Sequence, residues 1–197
     1  MAVHDDGEHV HPLSRAEWRA WLAEHHGRDE GVWLVFYKKA AGKPTLTTDA
    51  YVEEAIAFGW IDSKPKTIDA ERTARWISPR RRGSTWSRLS KRRAARVEAA
   101  GQMTEAGRGA IERAKADGTW TALDDVENLV VPTDLEAALD ALPPARAEWD
   151  GFPPSTRRGI LLWILMAKRD ATRAGRIEET ARLAQEGTRA NQWSPEG

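Results

Sequence analysis

Residues 58–93 combine large aromatic rings with most of the local positive charge, a pairing of residue types suited to binding an anion. Arginine offers a planar set of N–H donors to a phosphate or carboxylate, and an indole ring can stack on a flat group. The predicted ligand-binding residues of this segment are Trp60, Asp62, Lys64, Trp76, Arg80, Arg82, Ser84 and Trp86, and Lys38 joins them from an earlier strand. The prediction requires these side chains to converge on one cavity.

Asp62 is an acid in a segment that is otherwise rich in cations. The simplest interpretation is that its carboxylate orients an arginine or a donor group of the ligand. An alternative makes Asp62 the general acid or base of an enzyme, with Lys38, Lys64 or Arg80 stabilising negative charge. The sequence contains no nucleophile elbow, phosphate loop or dinucleotide-binding motif. Whether the chain is an enzyme therefore stays open, and we predict no cofactor.

Residues 79–96 suggest a second alternative, which is nucleic-acid binding through a basic loop and helix. Phosphate contacts need only cations on one face, and tryptophan rings can stack on unpaired bases. The chain has 30 basic and 30 acidic residues, however, and acidic stretches such as 124–127 and 134–140 would repel a long polyanion. We therefore favour a small anionic molecule as the partner.

The composition excludes several other kinds of site. Without cysteine the chain has no disulfide, thiolate metal ligand or cysteine nucleophile. His4, His9 and His11 lack the spacing of a metal site, so no metal is predicted. The N-terminal segment lacks the apolar core of a secretory signal, and the longest apolar run, 159–167, is too short to span a bilayer. We expect a soluble, cytoplasmic protein without membrane insertion.

The spacing of apolar residues predicts an α+β fold, in which helices pack on a small antiparallel sheet of about three strands. The continuous apolar run 31–39 is the strongest strand, and 60–68 and 73–78 form a hairpin. Alternation along the first arm of the hairpin would place Trp60, Asp62 and Lys64 on one face. Ser84 or Ser87 is expected to cap the helix that follows the arginine-rich loop.

These elements predict five consecutive parts of the chain. Residues 1–13 are expected to be a disordered tail, and 14–120 an α+β domain that contains the Trp/Arg-rich hairpin and loop. A linker over 121–131 leads to an all-helical C-terminal region over 132–187. Residues 188–197 are expected to be a frayed tail.

Several blocks of sequence, in the same order, resemble the YdeI/OmpD-associated family. They are 31–39 (Gly-Val-Trp-Leu-Val-Phe-Tyr-Lys-Lys), 58–63 (Phe-Gly-Trp-Ile-Asp-Ser), Pro79-Arg80 with Gly83-Ser84 and Trp86-Ser87, and 101–104 with Gly107. Residues 132–187 are similar to the bacteriocin-protection region at the C-terminal end of the family. The resemblance implies a bacterial protein linked to stress or to tolerance of antimicrobial peptides, and it implies no particular reaction.

Overall fold

The computed structural model describes residues 7–191, and its contacts divide the chain into two compact units, residues 1–122 and 123–197. The first unit, here called the α+β unit, contains all the strands of the described chain. The second, here called the helical unit, contains only helices among its described residues. The predicted α+β fold with an all-helical C-terminal region is therefore confirmed.

The sheet has four strands in the described chain, in the order β1-β2-β4-β3. They are β1 (His9–Val10), β2 (Val32–Tyr37), β3 (Trp60–Thr67) and β4 (Arg72–Pro79). The three long strands are antiparallel, as predicted, whereas β1 pairs with β2 in parallel. The sequence predicted disorder at β1, because a two-residue strand shows no periodicity and depends on the edge of β2 for its pairing. The remainder of that predicted tail, residues 1–6, lies outside the described residues.

The α+β unit has four α-helices among its described residues: α1 (Arg15–His25), α2 (Thr48–Ala57), α3 (Arg88–Ala99) and α4 (Glu105–Ala116). Helix α2 packs on β3, and α1, α3 and α4 pack on α2. Each begins after a side-chain oxygen that accepts a backbone N–H of the first turn, which is the usual N-terminal cap. The capping residues are Ser14, Thr47, Ser87 and Thr104. Of the two serines considered for α3, Ser87 is the cap.

Side chains on the sheet alternate between two faces, and each face has its own apolar cluster. Leu34, Trp60 and Ile77 belong to the main core, which the helices cover. Trp33 and Trp76 lie on the opposite face and pack edge to face, with ring centroids 5.3 Å apart. The hairpin therefore sends its aromatic side chains to both sides of the sheet.

A buried carboxylate joins α1 to α2. Glu54 is only 1% exposed, and its two oxygens accept hydrogen bonds from Arg15 at 2.6 Å and Arg19 at 2.7 Å. Two guanidinium groups compensate the cost of removing this charge from water. The pairing fixes the position of α1 against the helix that leads into the hairpin.

The helical unit contains α5 (Asp124–Glu127), α6 (Thr133–Asp140), α7 (Ala145–Gly151), α8 (Pro154–Leu165) and α9 (Asp170–Gln185). Its core is formed by fully buried side chains that include Leu135, Leu139, Trp149 and Ile160. Helix α5 lies within the predicted linker, and Ala190, within the predicted frayed tail, is 1% exposed. No helix in residues 7–191 has the length and apolar character needed to cross a membrane.

Candidate functional site

The register of the hairpin separates the predicted site residues. Trp60 pairs with Pro79 and Asp62 pairs with Ile77, so both Trp60 and Asp62 face the helices. A bulge between Asp62 and Pro65 then breaks the alternation of side chains. Lys64 lines a groove on the opposite side of the sheet. The expectation that Trp60, Asp62 and Lys64 share one face is therefore wrong.

Trp60 and Trp86 are core residues, and each is 1% exposed. The indole Nε1 of Trp60 donates to the backbone oxygen of His26 at 3.0 Å, and its ring meets Trp21 edge to face. The Trp86 ring packs on Trp120 at 5.0 Å between centroids. Both rings are used in packing. Trp86 also borders a narrow cleft with Arg80, Arg82 and Ser84, but its volume of about 10 Å³ is too small for a ligand.

Arg80 is also buried, with 8% of its surface exposed. Its guanidinium carbon lies 3.6 Å from the centroid of the Trp86 ring, and Nη1 donates to the backbone oxygen of Thr85 at 3.3 Å. Its Nε has no hydrogen-bond partner among the residues that the structure describes. Burial lowers the pKa of Arg80 to about 10, and the nearby Asp62 carboxylate partly opposes this shift. Arg80 therefore remains charged at neutral pH inside the protein.

Asp62 belongs to an inner polar cluster with Tyr51, Arg75 and Arg80. Burial, and then the negative charge of Asp62, raise the pKa of the Tyr51 hydroxyl, whereas Arg75 acts in the opposite direction. The Asp62 carboxylate is half-buried and forms no ion pair in the described part of the chain. Asp62 thus lies near the Arg80 guanidinium on the helix side of the sheet.

Three predicted residues, Lys64, Trp76 and Ser84, meet in a groove on the other face of the sheet. This outer groove has a volume of about 660 Å³. Its charged and hydroxyl-bearing residues are Glu8, Arg28, Asp29, Glu30, Ser63, Lys64, Ser78, Arg81 and Ser84. The outer groove therefore combines cations, hydroxyl donors and acids around one aromatic ring.

Trp76 forms an apolar wall of the outer groove, and two glycines let the backbone approach its ring. A Cβ atom on Gly7 would lie 2.6 Å from Cζ3 of Trp76. A Cβ atom on Gly31 would lie 2.6 Å from the backbone oxygen of Ile77 and 2.7 Å from the indole. Any side chain at these positions would push into the indole, so the shape of the groove depends on both glycines.

The two remaining predicted residues lie outside the outer groove. Lys38 Nζ donates to the backbone oxygens of Asp69 at 2.7 Å and Ala70 at 3.2 Å, where it closes the turn of the hairpin. Arg82 is exposed on the loop after β4. Hydrogen bonds from Thr119 are the main cause of the lowered pKa of Asp117, and the positive charge of Arg82 makes a smaller contribution to it. The predicted residues are thus divided among the outer groove, the inner polar cluster, separate structural contacts and one narrow cleft, where Arg80, Arg82, Ser84 and Trp86 meet.

Sequence reasoning missed seven of the charged and hydroxyl-bearing residues of the outer groove: Glu8, Arg28, Asp29, Glu30, Ser63, Ser78 and Arg81. Arg81 lies within the arginine run that drew attention to the segment, and its neighbours Arg80 and Arg82 were selected instead. Asp29 and Glu30 precede the strongest predicted strand, but only the pairing of Val32 with Ile77 brings that end of β2 beside the arginine loop. Within residues 7–191, no three His, Asp or Glu side chains form a group that could hold a metal ion.

Comparisons with known families identify both parts of the chain. Residues 10–110 match a family described as a domain of unknown function (DUF8412). Residues 128–187 match the family described as bacteriocin-protection, YdeI or OmpD-associated, which confirms the resemblance for the C-terminal region. The sequence blocks between 31 and 107 lie in the first match. Searches of curated proteins and of solved structures found no significant match. The chain therefore belongs to the family defined by this domain of unknown function, and it carries a YdeI/OmpD-associated domain over residues 128–187.

Proposed function

We propose that the α+β unit binds a small anionic molecule in the outer groove. The observation that carries this proposal is that Lys64 and Arg81 line one groove, while neither forms an ion pair with another described residue. Elsewhere in the unit many arginines bond to carboxylates, among them Arg15, Arg19, Arg93 and Arg96. Two cations without an ion-pair partner, held in a concave site, can bind an anionic group through charge-assisted hydrogen bonds.

The other lining residues suit the same ligand. The hydroxyls of Ser78 and Ser84 provide donors for a phosphate or carboxylate, and the Trp76 ring provides a flat apolar wall. The Ser63 hydroxyl donates to the backbone oxygen of Trp76 at 3.4 Å instead. A volume of about 660 Å³ falls within the range of small-molecule sites, about 300–1,000 Å³. The proposed binding residues are therefore Lys64, Arg81, Ser78, Ser84 and Trp76.

The geometry favours this proposal over nucleic-acid binding through residues 79–96. Arg93 donates to Asp49 at 2.7 Å, and Arg96 donates to Glu53 at 2.6 Å. These contacts occupy two cations of the basic helix α3 in holding it against α2. Asp62 lies on the helix side of the sheet and does not line the outer groove, so the enzyme alternative gains no support there.

The test is a screen for thermal stabilisation by inorganic phosphate, nucleotides, phosphorylated metabolites and short oligonucleotides. A ligand at about 100 times its Kd adds about 2.7 kcal/mol to the free energy of unfolding. We expect a limited set of small anions to raise the melting temperature of the wild type, but not that of the Lys64→Met/Arg81→Met variant. The control is Arg82→Met, which removes an exposed cation outside the groove. Equal stabilisation of all three proteins would refute the site.

We also propose that the protein acts in the bacterial cytoplasm and contributes to tolerance of stress or antimicrobial peptides. The support for the role in tolerance is the name of the family that matches residues 128–187. Expression of the wild type in a sensitive bacterial host is expected to increase survival under an antimicrobial peptide, and cell fractionation is expected to recover the protein in the cytoplasm. Unchanged survival would contradict the proposed role, and recovery in another fraction would contradict the proposed location.

A further inference from the structure

We propose that the ligand of the outer groove is a zwitterion, which carries an ammonium group as well as a phosphate or carboxylate. This inference rests on the proposed function and adds a second binding element to it. Asp29 and Glu30 line the same groove as Lys64 and Arg81. The acids would hold the ammonium group while the cations hold the anionic group.

The charges of the groove are only partly compensated by each other. Arg28 donates to Glu8 at 2.7 Å, so this pair is neutral overall. Asp29, Glu30, Lys64 and Arg81 also line the groove, but none of them forms an ion pair within residues 7–191. Opposite charges that share a groove without contact leave space for a molecule that bridges them.

The strands fix the four charges along the outer groove. Asp29 and Glu30 precede β2, whose first residue, Val32, pairs with Ile77 in β4. Arg81 follows the end of β4, and Lys64 lies in the bulge of β3, opposite the part of β4 between Arg75 and Ile77. The acids and the cations are thus held on neighbouring segments by backbone pairing. Such fixed positions reduce the ordering cost of binding.

The balance of charge selects the class of ligand. The two free acids and two free cations sum to zero formal charge, which matches a molecule that is itself neutral overall. A simple anion would meet two carboxylates that repel it, whereas an added ammonium group turns this repulsion into attraction. The remaining volume, against Trp76, would accept an apolar or planar portion of the ligand.

The test compares probes that differ only in the ammonium group, using calorimetric titration of the full chain. One pair is phosphoethanolamine and ethyl phosphate, and the other is 6-aminohexanoate and hexanoate. Comparing the two pairs distinguishes recognition of a phosphate from recognition of a carboxylate. We expect the ammonium-bearing member of at least one pair to bind about tenfold more tightly, as expected for one added charge-assisted contact. The Asp29→Asn/Glu30→Gln variant is expected to lose this preference. Glu24→Gln, an exposed acid on α1 outside the groove, is the control.

The outcomes separate this inference from the function on which it rests. If ethyl phosphate and hexanoate bind as tightly as their amino counterparts, and Lys64→Met/Arg81→Met abolishes binding, the zwitterion is wrong and the anion site stands. If no probe binds to the wild type, both proposals fail. Because all four substituted side chains are exposed, melting temperatures without ligand are expected to match the wild type, which excludes misfolding as the cause of a lost preference.

Discussion

The guanidinium group of Arg80 is stacked on the indole of Trp86, with its central carbon 3.6 Å from the ring centroid. Both residues are buried, and Arg80 forms no ion pair in the described chain. Its hydrogen bond to the oxygen of Thr85 closes the loop between β4 and α3. The stack therefore explains two of the predicted ligand-binding residues as parts of the fold.

The first prediction concerns the Arg80→Lys variant. An ammonium group is compact and strongly hydrated, and it cannot stack as a plane on an indole. We expect the substitution to lower the free energy of unfolding by about 1–2 kcal/mol, the range of a desolvated cation–π contact. Denaturant unfolding measures the change. Arg82→Lys, on the exposed part of the same loop, is the control and is expected to stay within about 0.5 kcal/mol of the wild type. Equal changes in the two variants would show that the stack does not stabilise the fold.

The helices and long strands could be predicted because their signals are local. Ser14 and Glu17 form a capping box, and the Ser14 hydroxyl accepts from the Glu17 amide as the spacing predicts. The apolar run 31–39 forms β2, which is covered on both faces. Such elements follow from residues that are neighbours in the sequence.

The groove could not be predicted, because it depends on register and on burial. The bulge after Asp62 reverses the face of Lys64. Pro65 is the local signal at that position, but a proline is equally compatible with a regular edge strand, which β3 also is. Composition likewise cannot distinguish a core tryptophan such as Trp60 from a groove tryptophan such as Trp76. Asp29 and Arg81, 52 positions apart in sequence, approach one groove only through strand pairing.

The second prediction concerns Gly31, where an added methyl group would collide with two fixed neighbours. The new Cβ would lie 2.6 Å from the Ile77 oxygen and 2.7 Å from the Trp76 ring, and the backbone oxygen cannot move without disturbing β4. We expect Gly31→Ala to lower the free energy of unfolding by about 1–3 kcal/mol, as overpacking does. The measurement is again denaturant unfolding.

Gly27→Ala is the matched control for this substitution, because a Cβ atom at Gly27 would meet nothing within 4 Å. It is expected to change stability by less than about 1 kcal/mol. If Gly31→Ala proves as stable as Gly27→Ala, the loop before β2 has room to shift, and the wall of the outer groove is not fixed by this contact.

The third prediction concerns the helical unit, where Asp134 on α6 accepts two hydrogen bonds from Arg173 on α9. The distances are 2.8 Å from Nε and 2.9 Å from Nη2. The Arg173 guanidinium lowers the pKa of the Asp134 carboxyl below its ordinary value of 3.8, against the opposing effect of burial. Since the folded protein binds this proton less readily than the unfolded chain, the pair stabilises the fold fully above about pH 5. That contribution is lost as the pH falls below 3.8 towards the folded pKa.

We therefore expect Asp134→Asn to have a lower melting temperature than the wild type at neutral pH. The gap between the two melting temperatures is expected to narrow as the pH falls below 3.8. The change at neutral pH is expected to be at most about 1 kcal/mol, because solvent screens a carboxylate whose side chain is 46% exposed. Circular dichroism melts between pH 7 and pH 2 measure it. Glu178→Gln removes an α9 carboxylate that forms no ion pair among the described residues, and it is expected to show no such pH dependence. If the melting temperatures of Asp134→Asn and the wild type differ by the same amount from pH 7 to pH 2, the pair does not stabilise the fold through the charge of Asp134.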